Sequence, residues 1–102
     1  MDPSAKHVTL RGRPGAVAVD KTGQGVLVVQ KLPPAPKGKT YEAWVIPPGS
    51  KPIKAGLFEG GKAMTMVPLG TSVPSGSVVA ATVERHGGVD EPTVEPLLSA
   101  QT

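Results

Sequence analysis

The 102-residue chain has no cysteine, and only one tryptophan, one tyrosine and one phenylalanine. Without thiols there is no disulfide, no thiolate metal site, no cysteine nucleophile and no blue-copper centre, which needs a Cys ligand. A zero count does not fix the redox compartment, since it fits cytosolic and exported bacterial proteins alike. No apolar run approaches the ~18 residues of a membrane-spanning helix, and the N-terminus lacks a signal-peptide core. No window carries a 3.6-residue apolar repeat of helical length, so little or no helix is expected. Charge of one sign is also sparse: 11 Lys and Arg face 8 Asp and Glu, for a net charge of +3. Lys31, Lys37, Lys39, Lys51, Lys54 and Lys62 are scattered along the chain. A nucleic-acid face wants a denser basic patch with stacking aromatics, so nucleic acid is not an expected partner.

What the chain does have is valine, glycine and proline. Gly and Pro make up about a quarter of it, spaced between β-branched runs and not gathered into tracts. Spaced breakers between such runs read as turns between strands. Candidate strands are Lys6–Arg11, Ala16–Asp20, Val26–Val29, Tyr41–Ile46, Pro52–Phe58, Ala63–Leu69 and Val78–Glu84, with a last edge strand over Thr93–Leu98. Val26-Leu27-Val28-Val29 is apolar on both faces and is expected to be a central, covered strand. Met64 and Met66 share a strand face and are expected to fill the core. Val79, Ala81 and Val83 are expected to face in, and Thr82 and Glu84 out. The three prolines of Leu32–Lys39 cannot donate ladder hydrogen bonds, so this stretch is a connection between sheets. Gly56, inside a strand, marks a bulge or a close approach, and Trp44 is the ring expected over it.

Seven or eight short strands at this spacing predict an all-β, antiparallel β-sandwich. One domain of this length buries about two-thirds of the surface its unfolded chain exposes. Residues 1–5 are expected to be a disordered or cloning-derived start, 6–98 the single sandwich domain, and 99–102 a disordered tail.

Chemistry is hard to find. The metal candidates are His7 and His86, the latter near Glu84, Asp90 and Glu91, but zinc wants three or four converging ligands at fixed spacing. No Ser sits in a G-x-S-x-G turn, and Ser50, Ser75 and Ser77 lie in Pro/Gly-rich loops for turn reasons. The glycine pairs lead into strands and not helix N-termini, so there is no phosphate cradle. No catalytic residue, metal or cofactor is expected, and the chain does not read as an enzyme.

Three segments carry a resemblance. They are Gly25–Val29 running through Leu32-Pro33 and Pro36–Thr40 to Tyr41-Glu42-Ala43-Trp44-Val45-Ile46, then Lys54-Ala55-Gly56-Leu57-Phe58, then Thr82-Val83-Glu84-Arg85-His86-Gly87-Gly88-Val89-Asp90-Glu91-Pro92-Thr93. In order and spacing, across about seventy residues, they resemble the C-terminal domain of anti-sigma-K factors of the RskA type. The positions that match the family's motifs are Tyr41, Trp44, Gly56, Leu57, Phe58, Thr82, Glu84, Gly87, Gly88, Pro92 and Thr93. Their expected role is structural, with Tyr41 and Trp44 as core residues. Arg85-His86 departs from the small or proline pair expected before the glycines, and Glu95-Pro96 from a more apolar final strand.

The resemblance implies a single-pass bacterial membrane protein whose N-terminal cytoplasmic segment, absent here, holds an extracytoplasmic-function sigma factor. The present domain would lie on the extracytoplasmic face of the cell membrane. Membrane proteases would release the sigma factor stepwise, and the folded domain would gate the first cleavage, since proteolysis follows access to opened chain. The rivals are a stand-alone exported module that binds cell-wall glycan or protein, and an adhesive domain of a larger surface protein.

Overall fold

The computed structural model describes residues 5–102, so the expected loose start lies almost wholly outside the described residues. Those residues form eight strands and no helix. They are β1 (Lys6–Thr9), β2 (Gly15–Val19), β3 (Gly25–Gln30), β4 (Lys39–Ile46), β5 (Ile53–Phe58), β6 (Met64–Pro68), β7 (Val78–Arg85) and β8 (Leu98–Gln101). Two antiparallel four-stranded sheets result, one in the order β1-β2-β3-β6 and the other in the order β5-β4-β7-β8. The chain is an all-β sandwich.

The core follows from strand alternation, because successive side chains point to opposite faces. Val17, Leu27, Val29 and Val67 point inward from the first sheet. Tyr41, Ala43, Val45, Phe58, Val79, Ala81, Leu98 and Ala100 meet them from the second. Tyr41 and Phe58 stack with ring centroids 5.5 Å apart. The Tyr41 hydroxyl donates to the Pro33 carbonyl at 2.7 Å, which ties the proline-rich crossover to the core ring. Two seams draw the sheets together. Arg11 and Ser99 exchange backbone hydrogen bonds beside β1 and β8, and the Gly70 amide donates to the Ala55 carbonyl on the other side.

Four expectations need correction. The last strand is Leu98–Gln101, paired with Val78–Ala81, and not Thr93–Leu98; the expected loose tail is therefore mostly strand. Thr93–Leu97 carries Pro96, and its polar groups are drawn instead toward a glutamate on β7. Met64 and Met66 are exposed, at 51% and 64%, because the outer face of the first sheet has no layer over it. For the same reason β3 is covered on one face only, and Val26 and Val28 stay half-buried in a row with Ala16, Ala18, Met66 and Pro68. Finally, no large ring lies over Gly56. There is a bulge, since Ala43 pairs with Gly56 while Trp44 pairs with Lys54, leaving Ala55 as the extra residue. Gly56 sits at φ +141°, where side chains are rarely tolerated, and nothing lies within 4 Å of where its Cβ would be.

Candidate functional site

The outer face of the second sheet differs from that of the first. β4 and β7 pair in the middle of it, with Thr40 opposite Glu84, Glu42 opposite Thr82 and Trp44 opposite Ala80. Alternation turns all of these away from the core. Yet Glu42, Trp44, Ala80, Thr82 and Glu84 are each at most 2% exposed. The expectation that Thr82 and Glu84 meet solvent is therefore wrong, although their direction is right. What covers them is the chain between β7 and β8, which folds back over the sheet.

That segment starts in a tight turn. The His86 amide donates to Gly38 O and the Gly88 amide to Arg85 O, both at 2.9 Å. Gly87 and Gly88 both take positive φ, +91° and +82°. Glycine is needed twice over at Gly88: besides its φ, a Cβ there would lie 2.8 Å from Leu57 Cδ2 and 3.1 Å from Glu42 Oε1. The chain then passes over the two carboxylates. The Val89 amide donates to Glu42 Oε1 at 2.8 Å. The Thr93 amide donates to Glu84 Oε2 at 3.2 Å, and its hydroxyl to Glu84 Oε1 at 2.5 Å. Beneath, the Trp44 indole donates to Thr82 Oγ1 at 2.9 Å. At the rim Lys54 Nζ and Asp90 Oδ1 pair at 2.9 Å, both well exposed. The segment rejoins the sheet where the Leu97 amide donates to Ala81 O.

Burial alone would raise the Glu84 pKa, because a carboxylate loses hydration there. The hydroxyls of Thr82 and Thr93, the Thr93 amide and the charge of Lys39 together outweigh burial and hold Glu84 below the ordinary glutamate range. Glu84 is thus a buried anion made tolerable by donors aimed at it, the arrangement a buried charge needs. Asp90 is lowered by the hydrogen bond and charge of Lys54, and Lys54 is raised in return. On the other side of the sheet, burial pushes the Tyr41 hydroxyl up.

The motif residues therefore divide by face. Trp44, Thr82, Glu84, Gly87, Gly88 and Thr93 come together here, with Leu57 against Gly88 and Pro92 in the covering chain. Tyr41 and Phe58 point through the sheet into the main core, and Gly56 sits at the bulge. Glu42 was missed as a site residue. Its signal was its place two residues before Trp44 on the same strand face, opposite Thr82. Val89, Lys54 and Asp90 carried no comparable signal, because what they touch is distant in sequence.

Among the described residues no group of three or more His, Asp or Glu side chains converges as metal ligands do. His7 lies exposed on β1 and His86 exposed in the turn after β7. Ser77 Oγ donates to the Pro74 carbonyl at 2.6 Å, a turn role. A shallow depression beside the covering segment is lined by Glu42, Lys54, Gly56, Leu57, Gly70 and Gly87. The chemistry open to the assembled groups is to hold, or to let go, a stretch of their own chain.

The family model of the anti-sigma-K factor RskA C-terminal region matches residues 3–98. The chain belongs to this family. The matched span takes in β1 to β7 and the covering segment, ending where β8 starts. In this RskA C-terminal domain the Thr82–Thr93 stretch is thus the end of β7, its turn and the chain that returns over it. A search of curated proteins and a search of solved structures each found no match. Among the described residues no helix is long and apolar enough to cross a membrane.

Proposed function

We propose that this anti-sigma factor C-terminal domain is the extracytoplasmic regulatory domain of a membrane-anchored bacterial parent, and that it controls proteolytic release of an extracytoplasmic-function sigma factor. The observation that carries this reading is the family match over residues 3–98. The architecture suits it: the buried carboxylates of Glu42 and Glu84 are committed to donors of their own chain. The sigma factor would be held by another segment of the parent, and membrane proteases would act on the chain that links the two. A folded sandwich shields such a link only while it stays folded or bound, because cleavage follows the population of opened chain.

The test is a full-length parent with this domain deleted. Loss of signal control, with cleavage either constitutive or abolished, is the expected result; unchanged, signal-dependent release would refute the proposal.

One observation favours a second reading, an exported binding module. The open outer face of the first sheet carries exposed Met64 and Met66. Flexible thioether side chains suit a protein ligand. A cell-wall glycan fits less well, since Trp44, Tyr41 and Phe58 are all buried and offer no stacking platform. The codons upstream of this domain in the parent gene separate the two: a membrane span favours the regulator, and a plain signal peptide the module.

A further inference from the structure

We infer that Val89–Pro96 is a strap that lifts off the second sheet as a separate unit while the sandwich stays folded, with Glu42 and Glu84 as its latch. Three observations carry this. First, among the described residues no backbone-to-backbone hydrogen bond involves any residue of Val89–Pro96. The anchors are instead the Val89 amide on Glu42, the Thr93 amide and hydroxyl on Glu84, and the exposed Lys54–Asp90 pair. Second, the strap buries little of itself. Asp90, Glu91, Thr93, Val94, Glu95 and Pro96 are exposed and Val89 and Pro92 half-buried, so the strap adds little apolar surface of its own to the cover it gives the sheet. Third, both ends are fixed where such a unit would hinge: Gly88 is bonded to Arg85, and Leu97 to Ala81. Segments with few buried apolar contacts open at a lower free energy than the ladders around them.

Lifting the strap uncovers Trp44, Ala80 and Thr82 and presents an extended, proline-containing stretch to solvent. Acid is a natural trigger, because Glu84 is a carboxylate whose acceptor strength falls on protonation. Lys39 faces Glu84, and Lys54 faces Glu42 and Asp90. Arg85 lies near Asp90, while Glu91 and Glu95 sit on the strap itself and His86 in its leading turn. The inference holds whatever the parent regulates, so its failure would leave the proposed function standing.

Native-state hydrogen exchange on the isotope-labelled domain tests it without any substitution. The Val89 and Thr93 amides should exchange at least roughly tenfold faster than those of Trp44 and Thr82, and with little dependence on denaturant. Exchange of Val89 and Thr93 at the same rate and denaturant slope as β7 would overturn the separate unit. A second measurement tests the latch. Glu84→Gln keeps the shape and removes the charge, so Thr93 protection should fall by roughly threefold or more while Leu27 and Val29 hold theirs. Unchanged Thr93 protection would remove Glu84 from the latch. On acidification, emission from Trp44, the sole tryptophan, should shift before the far-ultraviolet sheet signal is lost. Coincident transitions would again mean a single cooperative unit.

Discussion

The Trp44 indole and the Thr82 hydroxyl meet across the β4–β7 pair at 2.9 Å, both fully buried on the side of the sheet that faces away from the main core. A tryptophan N–H has no alternative partner in such a place, and leaving it unpaired costs more than the bond itself contributes. Thr82→Val, which keeps the shape and removes the acceptor, should therefore destabilise the domain by about 1–3 kcal/mol. Thr82→Ser should recover most of that. Urea unfolding followed by Trp44 fluorescence reads both, and a neutral Thr82→Val would show that the pair does not matter for stability.

Glu84 makes stability depend on pH in a definite direction. Its folded pKa lies below the ordinary value of 4.5, so the unfolded chain takes up the proton first as pH falls. The stabilisation is complete above the unfolded value and is lost as pH drops through the folded one. Unfolding free energy should be level near neutrality and decline below about pH 5. Asp20, lowered by the Thr22 hydroxyl and the Gln24 amide, and Asp90, lowered by Lys54, slope the same way from exposed positions. Glu84→Gln should therefore flatten the acid limb without abolishing it. An acid limb equally steep in the variant would show that Glu84 is not the group responsible.

Glycines separate by what surrounds them. Gly38 and Gly88 have similar positive φ, +78° and +82°, but a Cβ at Gly38 meets nothing within 4 Å. Gly38→Ala should cost only the left-handed backbone penalty, about 1–2 kcal/mol. Gly88→Ala adds a clash with Leu57 and the Glu42 carboxylate and should cost clearly more. Thermal melts of the two variants side by side decide it, and equal losses would mean that the Gly88 neighbours yield freely.

Lys54 is the opposite case. Its pair with Asp90 is open to solvent and screened by salt, and such pairs contribute little. Lys54→Ala should leave the unfolding midpoint unchanged within error at physiological ionic strength. A large loss would show that the rim pair holds more than itself.

Much of this was legible in the sequence, for local reasons. The alternation of Tyr41–Ile46 and Val78–Glu84 assigned the correct faces, and Gly56 marked a real bulge. Most of the failures were questions of coverage. An alternating strand shows which residues point away from the core, but not whether another part of the chain comes to lie on them. Glu42 and Glu84 point outward yet are buried under a segment that is distant from β4 in sequence, while Met64 and Met66 point outward and stay bare. The last strand was misplaced for a related reason. Thr93 and Val94 have strand-like composition, but Thr93 is held by a side chain, so the ladder starts only at Leu98.

The outermost strands carry a further consequence. β1 and β8 are four residues each, β5 is bulged and bears Lys54, and β6 ends in Pro68. Short, kinked, charged or proline-tipped borders give a second molecule little ladder to extend, which is how natural β proteins resist stacking into fibrils. Whatever this domain touches, it should meet broadside, through a sheet surface or a loop, and not by lending a border strand.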